Sequence, residues 1–203
     1  MVGSQAARTT AVVAVLALLA AAVAAGPAAA KPQKVVSGDT KLTIPKARVS
    51  ALTAQDVAMV DIPPVSFRFI WDDALSWWFS VPMVAGGTFD YAATKGTFTH
   101  KGGIRFVNVA NNTTLRLTGL RVVINGPSSV VLSAAVGNAP VTRADVMTAT
   151  NSPAITRDGK LVHVDGIQFR LTAATVLAIQ NALGVIPDAT TLFADTDLDF
   201  TLQ

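Results

Sequence analysis

From Lys41 to the carboxy terminus, apolar and polar residues change places at mostly every second position, with turn residues breaking the pattern at short intervals. Successive side chains of a strand point to opposite faces, so this period marks strands with one face buried and one wet. "VSFRFI" (Val65 to Ile70) sets Val65, Phe67 and Phe69 against Ser66 and Arg68. "GTFTHKGGIRFVNV" predicts a hairpin turning at Lys101-Gly102-Gly103. Asn111-Asn112 makes a further turn, and Thr114 to Ile124 a strand kinked at Gly119. Asn125-Gly126-Pro127 turns the chain into Ser129 to Val136; Lys160 to Leu171 and "TLFADTDLDFTL" follow as strands. The expected fold is all-β, an antiparallel two-sheet β-sandwich of about nine or more short strands with one or two short helices.

Two stretches leave the period. "LTAATVLAIQNALG" (Leu171 to Gly184) spaces Val176, Leu177, Ile179 and Leu183 as a helix does, with Thr172 placed to cap its start and Gly184 its end. "LTAQDVAMVDIP" (Leu52 to Pro63) reads as a shorter copy: both open with Leu-Thr-Ala, and both sequences reach Ile-Pro, at Ile62-Pro63 and Ile186-Pro187. The charge inventory agrees with strands and loops. All 13 acidic residues are aspartate, which favours turns and caps, and glutamate, a helix former, is absent.

Residues 1–30 are of different material. Arg8 precedes an uncharged run from Ala11 to Ala25, then Gly26-Pro27 and three alanines, the pattern of a secretory signal peptide cleaved after Ala30 or, second, Ala25. The expectation is a secreted, monomeric domain over 31–203. With no cysteine, it carries no disulfide and no lipid-modified cysteine. Removing Arg8 leaves 15 basic residues against 13 aspartates, a charge of +2, and no basic run offers a nucleic-acid footprint.

Catalytic constellations are missing. There is no thiol, no Gly-x-Ser-x-Gly elbow, and only two histidines far apart in sequence, so neither an enzyme nor a metal centre is expected. Asp195, Asp197 and Asp199 share one face of a strand but lack the glycine and distant ligand of a calcium loop; they read as a solvated face that discourages edge pairing. His163 reads as an exposed strand residue. His100 shares its face with Phe98, either as a packed histidine with a polar partner or as the lining of a ligand site. All three tryptophans, Trp71, Trp77 and Trp78, fall in "WDDALSWWF". Adjacent Trp77 and Trp78 must point to opposite faces of any strand. One of them packs beneath a second layer or lies open to stack on a flat ligand.

Gly96, Phe98, His100, Gly102 or Gly103, Ile104 and Phe106 resemble the core motif of the HtaA domain family, secreted or cell-surface haem-binding domains of actinobacteria. "TTLRLTGLRVVING" and "DGIQFRLTAATVLAIQNALG" are similar to later segments of such proteins, and "SFRFI" is similar to the family's Ser-Phe-Arg-x-Tyr. The resemblance implies a module for haem or another small planar or apolar ligand, with His100 as polar anchor, Ser66 beside it and Trp71, Trp77 or Trp78 as the stacking surface. In haem-binding members that tyrosine ligates iron with the histidine supporting it; here its position is Ile70, and the only tyrosine is Tyr91. The other reading is a structural or adhesive domain whose partners are cell-envelope components.

Overall fold

The computed structural model describes residues 31–70, 76–137, 142–188 and 190–203. Residues 1–30, whose sequence predicts a signal peptide, and Trp71 lie outside them. The strands are β1 (Gln33–Ile44), β2 (Val57–Ile62), β3 (Ser66–Ile70), β4 (Ser76–Pro82), β5 (Thr88–Asp90), β6 (Lys95–Thr99) and β7 (Gly103–Asn108). They continue as β8 (Thr113–Asn125), β9 (Val130–Val136), β10 (Thr142–Ala149), β11 (Ala154–Asp158), β12 (Leu161–Leu171) and β13 (Ala194–Leu202). Two helices interrupt them, α1 (Lys46–Thr53) and α2 (Ala173–Leu183). All the pairings are antiparallel, as the alternation predicts.

Two layers face each other, one around β4, β1, β13 and β12 and the other around β8 and β9, and they are joined at their edges. The pairs β1–β13–β12–β10–β9–β8–β6–β5 return to β1, so the ladder closes on itself. Beyond that ring, β4 and β3 extend one layer while β7 and β2 extend the other. The inward faces carry Phe79, Phe89, Phe98, Phe106, Phe169, Phe193 and Phe200, each fully buried. Burial on this scale stabilises by roughly 2 to 3 kcal/mol per ring and dominates the fold energetics.

The expected hairpin at Lys101-Gly102-Gly103 is not one. β6 and β7 do not pair with each other; both run along the same edge of the long β8, β7 against Thr113–Thr118 and β6 against Arg121–Asn125. They are one strand interrupted at His100–Gly102, opposite a bulge in β8 between Thr118 and Arg121. The glycines are required there. Gly102 has φ +75°, and a Cβ on it would lie 2.3 Å from the Ile62 carbonyl oxygen; one on Gly103 would lie 2.1 Å from that of Leu117. β4 and β5 form a second interrupted strand along β1. The two interruptions meet. Met83 bridges His100, the Val84 amide donates to the Thr99 carbonyl at 2.7 Å, and the Lys101 amide to that of Pro82 at 3.0 Å. On one side β5 and β6 zip together; on the other the layers diverge into β4–β3 and β7–β2. His100 stands at the fork.

The helix at Thr172 forms as expected. The Thr172 hydroxyl accepts from the Thr175 amide at 3.2 Å, and Gly184 ends the helix in the left-handed conformation. The second copy does not repeat it. Leu52-Thr53 ends α1 instead of opening a helix, Asp56 turns at φ +58°, and "VAMVDI" is β2, with Val57 and Met59 buried against the core. Its alternation and β-branched residues outweigh the Leu-Thr-Ala likeness.

Candidate functional site

β4 sorts the tryptophans. Trp77, Phe79 and Val81 point inward and Trp78 and Ser80 outward. Trp77, 8% exposed, meets Phe67 edge-on at 5.9 Å, with Phe67 also 4.9 Å from Phe79. Opposite residues in an antiparallel pair share a face, so the register also places Ser66 and Arg68 of β3 on the outer side with Trp78. The same rule adds Asp39, Lys41 and Thr43 of β1 and Asp195, Asp197 and Asp199 of β13.

His100 belongs to the opposite side. It is 3% exposed, and its backbone amide donates to the Leu120 carbonyl at 2.8 Å. Nδ1 lies 3.2 Å from that same oxygen, which can only accept, so Nδ1 carries the proton. Nε2 then accepts from the Thr40 hydroxyl at 2.7 Å. Both ring nitrogens are committed. Burial lowers the imidazole pKa to about 4, partly opposed by the Leu120 hydrogen bond. Beside it, Thr40, Leu42, Leu120, Leu132, Phe169 and Thr196 line a cavity of about 10 Å³. That is room for one water. The Thr196 hydroxyl is buried in its wall without a hydrogen-bond partner.

Thus Ser66 and Trp78 come together on the outer face, while His100 and Trp77 are inward and separate. Thr40, beside His100, and Ile44, paired with Trp77, are four residues apart on β1, about 13 Å. Three contributors escaped the sequence reading. Thr40 was marked by being polar on the buried Thr40-Leu42-Ile44 face. Lys41 and Arg68 flank Trp78, with Nζ 5.9 Å and Cζ 5.6 Å from the ring centroid; only the register across three strands assembles that trio.

The aspartates behave differently from expectation in one respect. Their face is the outer one, but β13 lies between β1 and β12, so they guard no edge. Asp199 holds His163 at 2.5 Å, and Asp197 accepts from the Gly166 amide at 2.9 Å. Burial, then the charge of Asp197, holds the Asp195 carboxyl above its ordinary pKa. No group of three metal-ligating side chains occurs among the described residues.

The C-terminal domain of HtaA from Corynebacterium glutamicum, a crystal structure, superposes with TM-score 0.62 at 15% identity, covering 84% of this chain and 99% of that one. The fold is HtaA-like. A domain-swapped dimer of a histidine-to-alanine variant of that domain matches at TM-score 0.51 and 15% identity, over 77% of this chain and 91% of that one. No family model matches the sequence, and no curated protein does.

Haem is the ligand that the resemblance implies, and among the described residues no fitting axial donor for iron stands at Trp78 or in the pocket of His100. Axial ligation needs a side-chain donor facing open space. Both nitrogens of His100 are used in a closed core, and isoleucine at position 70 has no donor atom. Tyr91 lies in the β5–β6 turn against Phe89 and Arg157. His163 is on the outer face but lies three strands across from Trp78, about 14 Å, and is offset by four residues along the sheet.

Proposed function

We propose that the chain is an exported, monomeric binding module of HtaA type, taking a small, flat, largely apolar ligand, with haem the first to test. One observation carries the reading: Ser66 and Trp78, chosen from sequence as contact residues, share an exposed sheet face in an HtaA-like fold. A half-buried indole with polar groups around it suits a planar molecule that is apolar in its body and polar at its rim. Haemin titration of the purified protein should quench tryptophan fluorescence saturably at micromolar concentration, and the quenching should be lost in Trp78→Ala. Flat fluorescence and an unchanged Soret band would overturn it. Amino-terminal sequencing of secreted material, expected to start near Lys31, tests export.

The closed environment of His100 favours a second reading, an envelope-associated structural or adhesive domain that retains the fold without a small ligand. A flat titration would leave that one standing.

A further inference from the structure

Resting on that binding reading, we propose that the ligand is recognised as a flat polycyclic anion on the outer face of β3, β4 and β1, and that a metal centre in it takes no part. The face is divided by charge. Asp195, Asp197 and Asp199 along β13, with Asp39 in the middle of β1, make one side acidic, and Asp197 stands directly opposite Lys41 at the boundary. Arg68 and Lys41, either side of Trp78, make the other half cationic and aromatic. Both cations are exposed, and their ring contacts with Trp78 are their only hydrogen-bonding, ionic or cation–π engagement among the described residues.

A cation held over an aromatic face gains little in water, whereas a carboxylate brought to it forms a charge-assisted hydrogen bond. A ligand carrying carboxylates on a flat conjugated body meets both demands: its acids replace the solvent around Lys41 and Arg68 while its rings cover the indole. Ser66 and Ser80 sit side by side at the rim of the same patch. Ser80 already donates to Asp39 at 2.7 Å, so Ser66 is the hydroxyl left for the ligand edge. The acidic half repels the same carboxylates and sets the direction in which the ligand lies. Nothing in this recognition needs iron, and among the described residues no iron donor stands beside Trp78.

The test is a pair of titrations of the purified protein, with haemin and with metal-free protoporphyrin IX, each followed by tryptophan quenching. The two affinities should agree within about threefold, and Lys41→Gln and Arg68→Gln should each weaken both ligands about fivefold. These substitutions sit on exposed side chains and leave the core intact. Haemin binding tenfold or more tighter than the metal-free ring, with a coordinated Soret band, would overturn the inference and keep the binding module. Equal binding insensitive to both substitutions would remove the site from this face. Binding of neither compound would sink the proposed function itself.

Discussion

His100 packs against the inner face of β1 and Trp78 stands on the outer face of β4, and the two are opposites. At His100 the amide and both ring nitrogens are spent within the fold: the amide and Nδ1 on Leu120, Nε2 on Thr40. At Trp78 the neighbouring charges meet only the ring itself, on the side of the sheet open to water. The difference teaches that a polar residue on the inner face of a sheet serves the shape, and one on the outer face is free to serve a partner. Four experiments sharpen or break that contrast.

The largest effect is expected from His100→Ala. It opens a cavity at the fork and leaves the Thr40 hydroxyl without its ring partner, while the Leu120 carbonyl keeps the backbone amide, costing about 4 kcal/mol. Urea denaturation measures it, and a loss below about 1 kcal/mol would break the contrast from the inner side. Acid comes next. The folded pKa of His100, about 4, lies below its ordinary 6.5, so between those values the unfolded chain binds the extra proton. Stability is therefore complete above pH 6.5 and falls as pH drops towards 4, by roughly 3 kcal/mol in all. Midpoints measured at pH 7 and 4.5 should differ in the native sequence and converge in His100→Ala.

The tryptophans extend the comparison. Trp77→Ala removes a buried ring and should cost about 3 kcal/mol, whereas Trp78→Ala should cost about 1 kcal/mol. Equal costs would mean that Trp78 is a packing residue. The smallest effect has the opposite sign. Thr196→Val keeps the shape and deletes an unpartnered buried hydroxyl, so it should stabilise by about 1 kcal/mol. Destabilisation would reveal a water in the cavity bonded to that hydroxyl.

Much of this was legible in advance because period two is a local property. The inward and outward sets, the opposed tryptophans and the Thr172 and Gly184 caps all follow from neighbours within a few residues. What escaped depends on distant pairing. Lys101-Gly102-Gly103 has the composition of a hairpin turn, but β8 is long enough to take both flanking strands along one edge, and only that length distinguishes a kink from a reversal. Leu52-Thr53-Ala54 ends a helix instead of starting one because the chain had already turned at Lys46, without an acidic first turn or a side-chain cap to announce it. The partner of His100 is 60 residues upstream. An unpaired polar residue on each of two apolar faces, Thr40 and His100, was the signal, and nothing in the linear order joins them.

β1 and β13 run side by side in opposite directions, with Val35 opposite Leu202 and the Gln203 amide on the Lys34 carbonyl at 2.9 Å. The two strand ends consequently leave the domain at one place. Force applied across them peels this ladder a rung at a time, like a zipper, so the domain yields at low load when pulled by its ends and makes a poor mechanical strut. The same adjacency allows a short linker to join Gln203 to Gln33 and new ends to be cut at the exposed Asn125–Ser129 turn with every strand pair retained.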